Sequence, residues 1–178
     1  MKLGCFQKKM NLKFSKNNFW LIIFIAFALM ISSCKKESDY TFNKDIKIEI
    51  LLSDDEGEDL FNPESFFYYN KVSIKIFYLI DGQEVEMNNE RLTPPRNFFL
   101  NYVQDRHRMQ LYPNHDATEE FPVTLIKWNS SETDTIKCSF DRSSSTIICN
   151  KIWLNDELVW ELTSLNQNRS FEIIKTQP

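Results

Sequence analysis

The chain has 178 residues, 42% apolar and 26% charged, proportions of an ordinary globular protein that exclude a collagenous, low-complexity or broadly disordered chain. Three glycines and six prolines are too few for a glycine-rich array or a proline-rich stalk. The formal charge of −4 is unevenly spread: Lys2, Lys8, Lys9, Lys13 and Lys16 precede residue 34 with no acidic residue among them, leaving 16 basic against 25 acidic residues, a net −9, in the rest. So acidic a body argues against a nucleic-acid partner, because counterions on phosphate are displaced by basic side chains.

The basic stretch leads into an unbroken apolar run over 19–31, then Ser32-Ser33-Cys34. Thirteen residues reach only about 20 Å as a helix, short of a bilayer core of roughly 30 Å, so the run reads as a signal peptide over 1–33. Small residues directly before Cys34 resemble a bacterial lipobox, which implies that the Cys34 thiol is acylated and heads the mature chain. Two acyl chains suffice for stable anchoring where one does not, so the membrane is the first expected partner. Lys35-Lys36-Glu37-Ser38-Asp39, within the tether 34–41, resembles the export tag of surface lipoproteins in Bacteroidetes-type bacteria, interrupted by Ser38.

From residue 42 onward period two dominates. Ile46, Ile48, Ile50 and Leu52 alternate with polar residues and predict a first strand, ended by the acidic turn 53–59. No EF-hand fits there: counting back from Gly57 as the sixth loop position puts Leu52, not Asp, at the first. Four consecutive aromatics, Phe66-Phe67-Tyr68-Tyr69, precede a strand at 72–80. In an extended chain Phe67 and Tyr69 would share one face, and they are the candidate ligand-binding pair. Asp81-Gly82 marks a tight hairpin with a return at 83–87. The stretch 88–97, with Pro94-Pro95, is the longest expected loop. Further strands are expected at 97–102, 108–112, 123–128, 135–140, 146–149, 152–154, 158–160 and 170–174, with Asn155-Asp156 as a two-residue turn.

Of four cysteines, Cys138 and Cys149 remain once Cys5 leaves with the signal and Cys34 is acylated. A loop at 142–145 would pair Asp141 with Thr146 and place Cys138 opposite Cys149, which predicts a disulfide stapling one hairpin. No window of eleven or more residues carries a 3.6-residue period. The expectation is a single β-rich domain over 42–178, an antiparallel β-sandwich of eight to ten strands, with a small β-barrel as the alternative.

The lipobox, Asp59-Leu60-Phe61-Asn62-Pro63, Leu125-Ile126-Lys127-Trp128, the run Thr133-Asp134-Thr135-Ile136-Lys137-Cys138 and Lys151-Ile152-Trp153-Leu154-Asn155 together resemble small single-domain lipoproteins of gut Bacteroidetes, a family without an assigned activity. That resemblance implies anchoring and a β-rich fold and carries over no catalytic residue. The chain lacks His-Glu-x-x-His, Cys-x-x-Cys and Gly-x-Ser-x-Gly, so no metal, cofactor or catalytic residue is expected. The expected role is a non-catalytic binding or structural accessory module at the outer membrane or cell surface. Alternatives are a glycan-binding lipoprotein using Tyr68, Tyr69 and a tryptophan, and an inhibitor or immunity-type lipoprotein whose acidic face covers a basic protein. A small hydrolase built on Asp105, His107, His115 and Asp116 ranks last.

Overall fold

In the computed structural model, which describes residues 42–176, all regular structure is β-strand. The signal segment, the tether and the lipidation residue Cys34 lie outside the described residues. The strands are β1 (Asn43–Asp45), β2 (Ile48–Asp54), β3 (Lys75–Ile80), β4 (Gln83–Glu86), β5 (Phe98–Val103), β6 (Arg106–Leu111), β7 (Val123–Lys127), β8 (Thr133–Arg142), β9 (Thr146–Leu154), β10 (Glu157–Glu161) and β11 (Ser170–Lys175). A seven-stranded sheet runs β1-β9-β8-β7-β3-β4 with β10 also on β9, and a four-stranded sheet runs β11-β2-β6-β5. Both stay open, so the fold is a sandwich and not the alternative barrel.

Alternation builds the core. In β2, Ile48, Ile50 and Leu52 are fully buried while Glu49 and Leu51 stay half-buried on the other face. They meet Ile76, Ile126, Ile136 and Ile152 of the facing sheet, with Trp128 and Phe61 closing one end. Each such aliphatic side chain contributes roughly 1.5–3 kcal/mol on burial.

The sheets are mixed, where an antiparallel sandwich was expected. β1 lies parallel to β9, Asn43 opposite Thr146, and β11 lies parallel to β2, Ser170 opposite Glu49. Both are terminal strands added at sheet edges. The strand read from Ile46 is β2, which begins at Ile48; β1, just before it, belongs to the other sheet, with buried Ile46 in the crossing between them. Three hairpins turn on residues with positive φ at both central positions, Asp81-Gly82 (50° and 76°), Gln104-Asp105 (52° and 59°) and Asn155-Asp156 (48° and 70°), matching the right-handed twist of the flanking strands.

The β8–β9 hairpin departs from the expected register. Arg142 pairs with Ile147, Phe140 with Cys149 and Cys138 with Ile152. The extra residue is Asn150, skipped between the partners of Phe140 and Ser139, a bulge that lets Ile147, Cys149 and Ile152 all face inward. Cys138 and Cys149 are thus buried free thiols, diagonal rather than opposed, and the predicted disulfide is not formed. A hydrogen bond with the Cys149 thiol, together with burial, pushes the Cys138 thiol well above its ordinary value.

One buried polar chain fastens the last strand to the opposite sheet. The Lys175 ammonium lies 2.6 Å from Asp134 Oδ2 and 2.6 Å from Glu132 Oε1, over the Trp128 ring. Trp128 Nε1 donates to Asp134 Oδ2 at 2.6 Å and Asn155 Nδ2 to Asp134 Oδ1 at 2.8 Å. Burial alone would raise the Asp134 carboxyl; the hydrogen bonds from Asn155, Lys175 and Trp128 outweigh it and hold it below its ordinary value.

Candidate functional site

The loop between β2 and β3 carries most of what the chain leaves unused. It starts at Asp54, whose Oδ1 accepts the backbone N–H groups of Glu56 (3.0 Å) and Glu58 (2.8 Å), while the Gly57 N–H donates to the Asp54 carbonyl at 3.1 Å. Gly57 sits at φ +83°, a conformation that favours glycine. This tight turn throws the side chains of Asp55, Glu56 and Glu58 outward.

Beyond it the chain is pinned at two points. Leu60 and Phe61 are buried, Phe61 packing 6.1 Å from the Trp128 ring centroid, and the Phe61 N–H bonds to Asp59 Oδ1. At the far end Tyr69 stacks edge-on against Trp128 at 5.8 Å and donates its hydroxyl to Glu132 Oε2 at 2.7 Å. Burial, then Glu132, pushes the Tyr69 hydroxyl well up. Between the pins the chain passes through turns, the Asn62 carbonyl accepting from the Ser65 N–H at 3.0 Å.

The expected alternation therefore fails, because residues 61–67 turn rather than extend. Phe66 and Phe67, neighbours in sequence, both project, 88% and 37% exposed, with their rings edge to face at 4.8 Å. Tyr69, predicted to join Phe67 at the surface, belongs to the buried polar chain instead. Phe66 and Phe67 line one side of a groove of about 380 Å³ whose other side is Asp54, Asp55, Glu56 and Glu58. Among the described residues none of these four carboxylates has an ion-pair partner, whereas Lys75, Lys127, Lys137 and Lys151 elsewhere are each matched to an acid. The groove thus joins an apolar surface to unneutralised negative charge.

The histidines are not brought together. His107 donates its backbone N–H and Nδ1–H to Asp59 Oδ2, both at 2.8 Å, with the Tyr102 ring 4.9 Å away. His115 instead bonds through Nδ1 to the Pro113 carbonyl (3.2 Å) and through Nε2 to Lys44 (3.3 Å). Asp105 forms a hairpin turn, and Asp116 Oδ1 caps the Thr118 N–H. Asp105, His107, His115 and Asp116 share no partner. Of the tryptophans among the described residues, Trp128 and Trp160 are buried and Trp153 is half-buried on the outer face of the larger sheet, edge-on to Phe121 at 5.5 Å.

Sequence reasoning missed Phe66, whose exposure depends on a loop pinned by Leu60 and Tyr69. Its available signal was the Asp59–Asn62 stretch, two turn-forming side chains that argue against a strand there. No family model, curated protein or solved structure matches the chain.

Proposed function

We propose that this chain is a lipid-anchored, non-catalytic binding module of the outer membrane or cell surface that docks a basic protein surface in the groove between Asp54–Glu58 and Phe66–Phe67. The observation that carries this reading is the Phe66 ring, 88% exposed on a loop pinned at Phe61 and Tyr69, beside four carboxylates without ion-pair partners among the described residues. An aromatic anchor rimmed by one sign of charge suits a partner presenting Lys or Arg around an apolar contact, through burial, cation–π attraction and electrostatic steering. Anchoring rests on the signal run and Cys34.

The test has two arms. Cells grown with labelled fatty acid should label the wild type and not Cys34→Ala. An array of Lys/Arg-rich peptides, each with an apolar residue and a Glu-substituted control, should retain the chain on the basic members only. Phe66→Ala with Glu56→Gln should weaken that retention about tenfold, and raising salt beyond the roughly 10 Å screening regime should weaken it further. Equal retention on the acidic controls would remove the groove from this role.

A glycan-binding role has its own support in the half-buried Trp153 beside the exposed Phe121, since aromatic faces cover the C–H faces of sugars. In the chain cut before Cys34, which removes Trp20, and with Trp128 and Trp160 buried, a fluorescence change on adding polysaccharides would report on Trp153, and Trp153→Phe should abolish it.

A further inference from the structure

A second cavity, of about 380 Å³, opens on a different part of the molecule, where the loop 88–97 closes over β1 and the segment after β6. Its walls are apolar: Ile46, Met87, Leu92 and Pro94. Its floor is fixed by hydrogen bonds. The Tyr78 hydroxyl donates to the Tyr112 carbonyl at 2.8 Å and accepts from Asn97 Nδ2 at 2.8 Å, and the Tyr112 N–H donates to the Asn97 carbonyl at 2.8 Å. The mouth carries Lys44, whose ammonium donates to His115 Nε2 at 3.3 Å.

The charge pattern reverses that of the groove at Asp54–Glu58. No carboxylate lines this cavity, and among the described residues Lys44 has no carboxylate within ion-pair distance. The imidazole offers it only a neutral acceptor. Burial, then Lys44 and Arg142, hold His115 below its ordinary value, while Nδ1 is spent on the Pro113 carbonyl and the Arg142 guanidinium is bonded to the His115 and Asp116 carbonyls. Of the charged groups acting on His115, which are Lys44, Arg142 and Asp116, only Asp116 is acidic, and it is not on the cavity lining.

We infer that this cavity binds a small organic acid with an apolar body, the hydrocarbon lying against Ile46, Met87, Leu92 and Pro94 and the carboxylate meeting the Lys44 ammonium. Apolar walls with a few convergent polar groups, at a volume within the roughly 300–1,000 Å³ of small-molecule sites, define such a pocket. A single ammonium selects the head group: an anion gains a charge-assisted hydrogen bond, a neutral amide gains an ordinary one and an amine is repelled. Thr93 and Asn97, also on the lining, supply further polar contacts at the rim.

The test uses the full chain in phosphatidylcholine nanodiscs, with empty nanodiscs as the blank, and equilibrium dialysis of labelled phenylacetate, octanoate and indole-3-acetate. At least one acid should bind saturably at one equivalent, with phenylacetamide and phenethylamine at least tenfold weaker than phenylacetate if that is the acid bound. Lys44 is exposed on an edge strand, so Lys44→Met keeps the fold and should lower the affinity about tenfold. Leu92→Asp, at a half-exposed wall position, should abolish binding by setting a carboxylate at the mouth. Absence of saturable binding by all three acids, or undiminished affinity in Lys44→Met, overturns the assignment.

Discussion

Two acidic clusters flank the same loop and are treated in opposite ways. Glu132 and Asp134 are drawn inward and matched to Lys175, Trp128, Tyr69 and Asn155, while Asp55, Glu56 and Glu58 are held outward with only solvent and two phenylalanine rings for company. The difference separates charges that specify the fold from charges left for something else. A buried carboxylate must find partners or be costly. An exposed one need not, so a cluster of unmatched carboxylates beside an exposed aromatic pair is what a binding surface looks like before its partner arrives. Tyr69 joins the two regions, its hydroxyl in the first and its backbone at the foot of the loop that carries the second.

The inner cluster breaks most visibly when its cation is removed. Lys175→Met strands Asp134 and Glu132 without the ammonium and should cost about 3–5 kcal/mol, the usual penalty for deleting one partner of a buried pair. Urea unfolding of the chain measures it. Adding Asp134→Asn to that variant should restore part of the loss; a loss below about 1 kcal/mol would mean that the inner cluster is no more committed than the outer one.

Acid sharpens the same contrast. Asp134, Asp45 and Glu172 all have carboxyls held below their ordinary values by specific partners. Because each folded-state value lies below the unfolded one, their stabilisation is present above the unfolded value, about pH 4, and is lost as pH falls through the folded one. His115, held below the ordinary imidazole value of about 6.5, adds a loss that begins as pH drops below that value, where the unfolded imidazole takes up a proton and the folded one resists. Asp134→Asn should therefore show a shallower fall in unfolding free energy between about pH 5 and 2 than the wild type. A variant as steep as the wild type would assign the acid sensitivity to the exposed pairs Asp45–Arg169 and Glu172–Arg106.

The inner region was partly legible in the sequence and the outer one barely. Strand alternation at Ile48, Ile50 and Leu52 announces a buried face, and Asp81-Gly82 and Asn155-Asp156 announce their turns, because those signals are local. Gln104-Asp105 makes the same kind of turn without a glycine or asparagine to mark it. The parallel edge strands β1 and β11, the β8–β9 register that sets Cys149 opposite Phe140 with a bulge at Asn150 beyond it, and the pairing of Lys175 with Asp134 across 41 residues depend on contacts that no window of sequence contains. Phe67 was picked out with the wrong companion: period two assigned it to Tyr69, but the turns at Asp59 and Asn62 rotate Phe66 outward beside it.

The smallest effects distinguish the two regions best. Tyr69→Phe removes one hydroxyl from the inner chain and leaves Glu132 with Lys175 and Asn129, so it should cost about 1 kcal/mol, the net worth of a typical buried hydrogen bond. Phe66→Ala removes a far larger group, yet that ring is 88% exposed and touches chiefly Phe67. Substitutions at such positions usually stay within about 0.5 kcal/mol of neutral, and an edge-to-face contact of a ring this exposed lacks the packing that gives a buried aromatic pair its worth. Urea midpoints of the two variants, measured side by side, should therefore place the ring deletion closer to wild type than the single-atom one. The reverse order would mean that Phe66 packs against the body of the protein in solution, and a ring that stabilises its own fold is no longer free to serve a partner.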